Sequence, residues 1–189
     1  MKFTTILISI VVSILLVSCG GSNTQKVENK TSEHLLLMMK KKKELNSQSI
    51  LAEYATFTSK DLQTGINKVE LEARAMLTRS LETKTSSLQK SFREEAGEEY
   101  LEHFTTATKS ISSRVLTGTS LTDVKFLKDE ETKKYRVVGL MVMDPKVFAE
   151  ALAAEAEANE AMKVRFHASK AYKNLNDEVA AYEDWKKKQ

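Results

Sequence analysis

Residues 135–143, Tyr-Arg-Val-Val-Gly-Leu-Met-Val-Met, constrain the fold of this chain more than any other stretch. Large apolar side chains fall on odd and even positions alike, so a strand here has no face to offer water. Such a strand belongs in the middle of a sheet. Residues 121–127 form a second strand-like run, and the charged segment 128–134 between the two predicts an antiparallel hairpin.

Upstream, residues 50–57 are rich in strand formers and predict a first strand, with Ser59 as the N-cap of a helix that follows. Leu62, Ile66, Val69, Ala73, Met76, Leu77 and Leu81 recur at helical spacing, and this sustained stripe outweighs the roughly 1 kcal/mol that Gly65 costs a helix. Residues 82–92 turn to Thr, Ser, Lys and Gln, with only Leu88 and Phe92 as large apolar groups; they read as a polar edge strand or as irregular structure. A second helical stripe follows at Tyr100, Leu101, Phe104, Ala107, Thr108, Ile111 and Val115. Glu98 and Glu99 suit the dipole at its first turn, and Gly118 ends it. Strand, helix, weak strand, helix and hairpin make an α+β domain over residues 50–144, a small, mostly antiparallel sheet with helices packed against one face. Any parallel pairing of the first two strands would need a right-handed crossover.

Residues 145–188 contain no glycine, and proline only at Pro145, where Asp144 as cap and proline at the first position start a helix. As one helix the segment would span about 66 Å, against a radius of gyration of about 13 Å for a body of about a hundred residues. This long C-terminal helix must therefore bend, break or project. The cluster Asn174-Leu175-Asn176-Asp177 is the expected break. Beyond it, Leu175, Val179, Tyr182 and Trp185 form an apolar stripe that is either a partner surface on a projecting helix or a face that folds back onto the body.

The chain opens with Lys2, an apolar run over residues 3–17 and Leu16-Val17-Ser18-Cys19. The run is about fifteen residues, short of the roughly 18 a membrane span needs. Leu16 also occupies a position where an ordinary secretory cleavage site wants a small residue. These residues resemble the lipobox of bacterial lipoproteins, which implies diacylglyceryl transfer to the Cys19 sulfur, cleavage before Cys19 and acylation of the new amine. Residues 1–18 are then the signal peptide. Residues 19–49 are the lipidated cysteine and a flexible, glycine-led tether with a reach of roughly 30 Å. Within the tether, His34-Leu35-Leu36-Leu37-Met38-Met39 precedes four lysines, Lys40 to Lys43. This segment could lie in a headgroup layer. A short helical turn packed on the domain, with its lysines solvated, is the preferred reading.

In Glu72-Ala73-Arg74-Ala75-Met76-Leu77, in Ser113-Arg114-Val115-Leu116-Thr117-Gly118 and in the hairpin ending Tyr135-Arg136-Val137-Val138, the chain resembles small bacterial lipoproteins of the LPP-twenty type. Their domain also looks like the N-terminal domain of a flagellar assembly protein. The resemblance spans roughly residues 50–152 and brings no catalytic residues with it. The polar second strand and the long C-terminal helix depart from the pattern.

Lys and Arg number 29 against 26 Asp and Glu, a net charge of +3 that is no nucleic-acid footprint. Cys19 is the only cysteine, so stability must come from packing without a disulfide. His34, His103 and His167 lie far apart with no metal-ligand spacing. Glu94, Glu95, Glu98 and Glu99 read as a solvated helix start rather than as paired acids of a glycosidase. No phosphate loop, serine elbow or reactive cysteine is present, and neither metal nor cofactor is expected. The expected function is a non-enzymatic, lipid-anchored envelope module that binds or organises an envelope protein, at the outer membrane with a periplasm-facing domain. A structural link from membrane to peptidoglycan through the long helix is the alternative, although Gln189 rather than lysine ends the chain.

Overall fold

The strand singled out above, β3 (Tyr135–Val142), is the middle of a three-stranded antiparallel sheet ordered β1-β3-β2, with β1 at Ala52–Ser59 and β2 at Leu121–Lys128. The computed structural model describes residues 22–117, 119–157 and 160–188. Tyr54 pairs with Leu140 and Phe57 with Val137 on one side, while Phe126 pairs with Val137 on the other. The β2–β3 hairpin is closed by Asp129, whose Oδ1 accepts from the backbone N–H groups of Glu131 and Thr132 at 2.9 and 3.0 Å. Those bonds, the Thr132 one foremost, hold its carboxyl below the usual range.

β3 has no polar face because both faces of the sheet are covered. Val137 and Met141 join the larger buried cluster, against α2 (Leu62–Ala96). Val138, Leu140 and Val142 face the opposite way, into a smaller cluster with Met38 and Leu45 of α1 (Ser22–Ser47) and Tyr182 of α6 (Lys170–Lys186). Helices against one face was therefore the wrong expectation. The tether reading is corrected by the same observation: residues 22–47 form a helix docked on the sheet, not a coil. Its buried stripe is Leu35, Met38 and Leu45, at helical spacing only if Lys42 is counted between them. The helix ends where Ser49 takes φ 63° and the Ile50 N–H reaches back to the Leu45 carbonyl at 3.1 Å, the left-handed stop that satisfies terminal carbonyls.

Residues 82–92 are no strand. α2 runs on to Ala96, with its buried positions at Gly65, Val69, Ala73, Leu77, Leu81, Thr85, Leu88, Phe92 and Ala96. Thr85 fills the place in the stripe where an apolar residue was missing. The hydroxyls of Thr78, Thr83 and Ser86 donate to the carbonyls of Arg74, Arg79 and Glu82, four residues back, which lets a Ser/Thr-rich segment stay helical. The N-cap is Asp61 rather than Ser59; its Oδ1 accepts from Thr64 N–H at 2.7 Å, and this holds its carboxyl below the usual value. Ser59 Oγ accepts instead from the Asp61 N–H.

Gly65 and Gly139 set how closely α2 lies on the sheet. A Cβ at Gly65 would meet Val137 Cγ2 at 2.8 Å, and one at Gly139 would meet Val69 Cγ1 at 2.7 Å and both Leu121 methyls within 3.3 Å. Alanine at Gly65 gains about 1 kcal/mol of helix propensity against an overpacking cost of about 1–3 kcal/mol. At Gly139 no helix term offsets the clash. Gly139→Ala should therefore lower the urea midpoint clearly more than Gly65→Ala; equal effects would contradict this close approach.

A 3-10 turn at Glu98–Tyr100 leads into α3 (Leu101–Thr117), which packs beside α2; Gly118, its expected end, lies outside the described residues. The long C-terminal run does not continue as one helix to its end, and its residues 158–159 lie outside the described residues. α4 (Pro145–Glu157) begins where expected, with Asp144 Oδ1 accepting from Lys146 N–H at 2.9 Å. α5 (Glu160–Ala168) follows, and α6 starts at Ser169, whose Oγ accepts from Tyr172 N–H. The break falls at Ser169, not at residues 174–177, which lie inside α6. Asn174, Asn176 and Asp177 are exposed, so their poor helix propensity costs little beside the burial of Leu175. Phe148, Leu152, Met162, Phe166, Ala171 and Leu175 carry α4, α5 and α6 into the same core as the sheet. The expected division at residue 144 is thus no packing boundary.

Candidate functional site

Cys19, the lipidation candidate, lies outside the described residues; the chain is first described at Ser22, where α1 begins. Of the four candidate partner-surface residues, Leu175 and Tyr182 are buried, and Val179 and Trp185 are half-buried. Leu175 packs in the main core, while Tyr182 and Trp185, with ring centroids 5.5 Å apart, pack against the second face of the sheet. Burial, with the nearby charges of Asp144 and Glu183, pushes the Tyr182 phenol upward. The stripe predicted from sequence exists, and its buried members Leu175 and Tyr182 face the body.

Two of the four acidic residues near residue 95 make contacts within the fold. Glu95 Oε2 accepts from the Lys170 N–H at 2.8 Å and so serves the first turn of α6, while Glu98 lies 3.7 Å from Arg93. His167 Nε2 sits 3.4 Å from Glu157, which also pairs with Lys163 at 3.0 Å; the Lys163 bond is the main cause of a lowered Glu157 carboxyl. Among the described residues no group of three His, Cys, Asp or Glu could hold a metal ion.

The buried polar contacts that sequence reasoning missed are those that fasten helices to the sheet and to one another. Successive residues of a helix are rotated by about 100°, so Lys41 and Lys42 straddle the inward direction marked by Met38 and Leu45. Lys41 Nζ reaches Asp123 on β2 at 2.6 Å, and Lys42 Nζ reaches Glu53 on β1 at 2.5 Å, one pair at each edge of the sheet. Ser80 of α2 donates to the other Glu53 oxygen at 2.7 Å. Burial opposes ionisation of Asp123, but Lys41 and Lys125 more than offset it and hold the carboxyl below its ordinary value. Deep between α2 and α6, Lys84 pairs with Glu178, whose carboxyl burial pushes up despite the lysine. The available signal was a polar residue standing in phase with an apolar stripe, as Lys42 and Glu178 do.

Two of the open depressions among the described residues bear on function. A groove of about 340 Å³ between α2 and α3 is lined by Thr85, Ser86, Ser112 and Ser113 beside Leu81 and Leu116. Ser86 and Ser112 donate their hydroxyl protons to carbonyls of their own helices, at 2.9 and 2.7 Å, which is bonding to the scaffold rather than activation of a nucleophile. The second surface is the outer side of α1, where Leu36, Met39, Lys40 and Lys43 border a shallow depression with Tyr54. Arg74 Nη2 donates to the Thr119 carbonyl at 2.7 Å, which ties α2 to the residues that follow α3.

No family model matches the chain, and comparisons with curated proteins and with solved structures find no match either.

Proposed function

We propose that this chain is a lipid-anchored lipoprotein of the bacterial cell envelope, held by acyl chains on Cys19 at the outer membrane with its domain facing the periplasm. It works without catalysis, as a module that binds or organises an envelope protein. The observation that carries the reading is Leu16-Val17-Ser18-Cys19 at the end of the apolar run, three residues ahead of the helix that enters the domain. A non-catalytic role is supported by how the buried polar groups are used: Glu53, Glu178, Lys84 and Asp129 each complete a contact that holds elements together. The partner contact falls to the α+β body, since the C-terminal stripe is occupied in packing. The peptidoglycan-linking alternative drew on the long alanine-rich helix and the terminal lysines; the packing of Phe148, Leu152, Phe166 and Leu175 in the core supports the first reading.

Metabolic labelling with palmitate tests the anchor. Wild-type protein should take up label and partition into the detergent phase, whereas Cys19→Ala should lose both properties completely. Label retained by Cys19→Ala, or none in the wild type, would rule out the anchor.

A further inference from the structure

The run Lys40 to Lys43 is divided by the helix that carries it. Lys41 and Lys42 reach inward to the two sheet edges. Lys40 and Lys43 fall on the opposite side and are exposed, together with Leu36 at 64% and Met39 at 43%; Leu37, at 40%, borders them. Steps of three and four from Leu36 to Met39, Lys40 and Lys43 put all four side chains on one outer strip. The strip joins apolar side chains to a basic rim, and the adjoining depression, of about 780 Å³, includes Tyr54. Glu33, three residues before Leu36, and Glu44, four after Lys40, are also exposed and adjoin the strip between Lys40 and Leu37, so the basic charge is confined to Lys40 and Lys43 on the side of Leu36 and Met39.

We propose that the outer strip of α1, Leu36, Met39, Lys40 and Lys43, is a second membrane contact that lies on an anionic lipid surface. The proposal rests on the lipid-anchored reading for its biological setting. Two observations select a bilayer over a protein groove. One is charge complementarity: lysines at the edge of an apolar strip suit anionic headgroups, each contributing appreciably near such a surface. The other is chain order. Leu36 lies about 21 Å along α1 from Ser22, and Ser22 is three residues from Cys19, so an anchor there keeps the strip within reach of the same bilayer. The described helices include none long and apolar enough to cross a membrane, so the contact is with the surface. Such a contact would set the orientation of the domain, sheet and α2 outward, where acyl chains alone leave it free to swing.

The test uses the mature chain, residues 19–189, with Cys19→Ser so that no acyl chain contributes. Co-sedimentation with vesicles of phosphatidylcholine plus phosphatidylglycerol is compared with vesicles of phosphatidylcholine alone. Binding should favour the anionic vesicles. Leu36→Ser/Met39→Ser and Lys40→Glu/Lys43→Glu should each weaken it about tenfold or more. These positions are exposed, so urea midpoints should stay near wild type and separate lost binding from lost folding. No preference for anionic vesicles, or binding unaffected by both double substitutions, overturns the proposal. So does a concentration-dependent dimer that Leu36→Ser/Met39→Ser dissolves, which would assign the strip to a second copy. Because the assay contains no acyl chain, it stands whatever the palmitate experiment returns.

Discussion

Replacing Lys84 with Met is expected to destabilise the protein by about 3–5 kcal/mol at neutral pH, as for other buried ion pairs that lose one partner. The side chains of Lys84 and Glu178 are only 11% and 10% exposed, so the carboxylate left behind has little access to water. The cost should depend on pH in a definite direction. Burial raises the Glu178 carboxyl above its ordinary value of 4.5, against the pull of Lys84. A carboxyl raised by folding contributes stability that is fully present below the unfolded value and is lost as pH climbs through the folded one. Wild-type stability should thus decline across the window above 4.5, and Lys84→Met should steepen that decline and cost least in acid. Lys84→Met/Glu178→Leu, which removes both charges, should lose the slope and recover most of the stability. Urea unfolding over a pH series measures all three. An equal cost of Lys84→Met in acid and at neutral pH would show that the carboxylate is not the burdened group. Asp61, Asp123 and Asp129 are lowered instead, so their contributions are present above 3.8 and fade below it, in a separate window.

Phe166→Ala should cost about 3–5 kcal/mol, a large share of the roughly 5–15 kcal/mol that holds a domain folded. Phe166 is fully buried and joins three helices through aromatic contacts: its ring lies 6.5 Å from Phe92 of α2, 6.0 Å from Phe104 of α3 and 5.2 Å from Tyr172 of α6. Phe92 and Phe104 are themselves stacked at 4.4 Å. Truncation would leave a cavity lined by rings that cannot collapse without moving whole helices. Val164, on the same helix but 64% exposed, supplies the comparison; Val164→Ala should change stability by no more than about 0.5 kcal/mol. A cost for Phe166→Ala as small as that of Val164→Ala would mean that α5 is not held to the core in solution.

The contrast between these two positions explains how much of the fold could be read in advance. The hairpin, the first half of α2, α3 and the Asp144-Pro145 start of α4 are each written in one local pattern, an alternation, a helical stripe or a cap. The full length of α1, expected only as a short packed turn, and the second half of α2 escaped the pattern at polar residues. Lys42 and Thr85 occupy positions in phase with an apolar stripe yet are polar, and each interrupted the pattern by which a helix is recognised. The stripe of Leu175, Val179, Tyr182 and Trp185 was legible, but its destination was not, because an apolar face looks the same whether it meets a partner or its own core.

By itself the sequence determined the segments with strong periodicity, the central place of residues 135–143 and the β2–β3 hairpin, whereas the pairing of β1 along the other edge of β3 came from the structure. It also carries, in Leu16-Val17-Ser18-Cys19, the signal from which an envelope address is proposed. Tertiary structure alone decided which polar side chains became interior, that Lys41 and Lys42 would hold α1 across the second face of the sheet, and that the C-terminal run would break at Ser169 and fold back. The physical reason is the range of the terms involved. Periodicity and capping depend on neighbours within a few residues, whereas burying a charge is tolerable only when a partner distant in sequence arrives beside it. Glu178 and Lys84, separated by 94 positions, become one interaction only when α6 lies against α2.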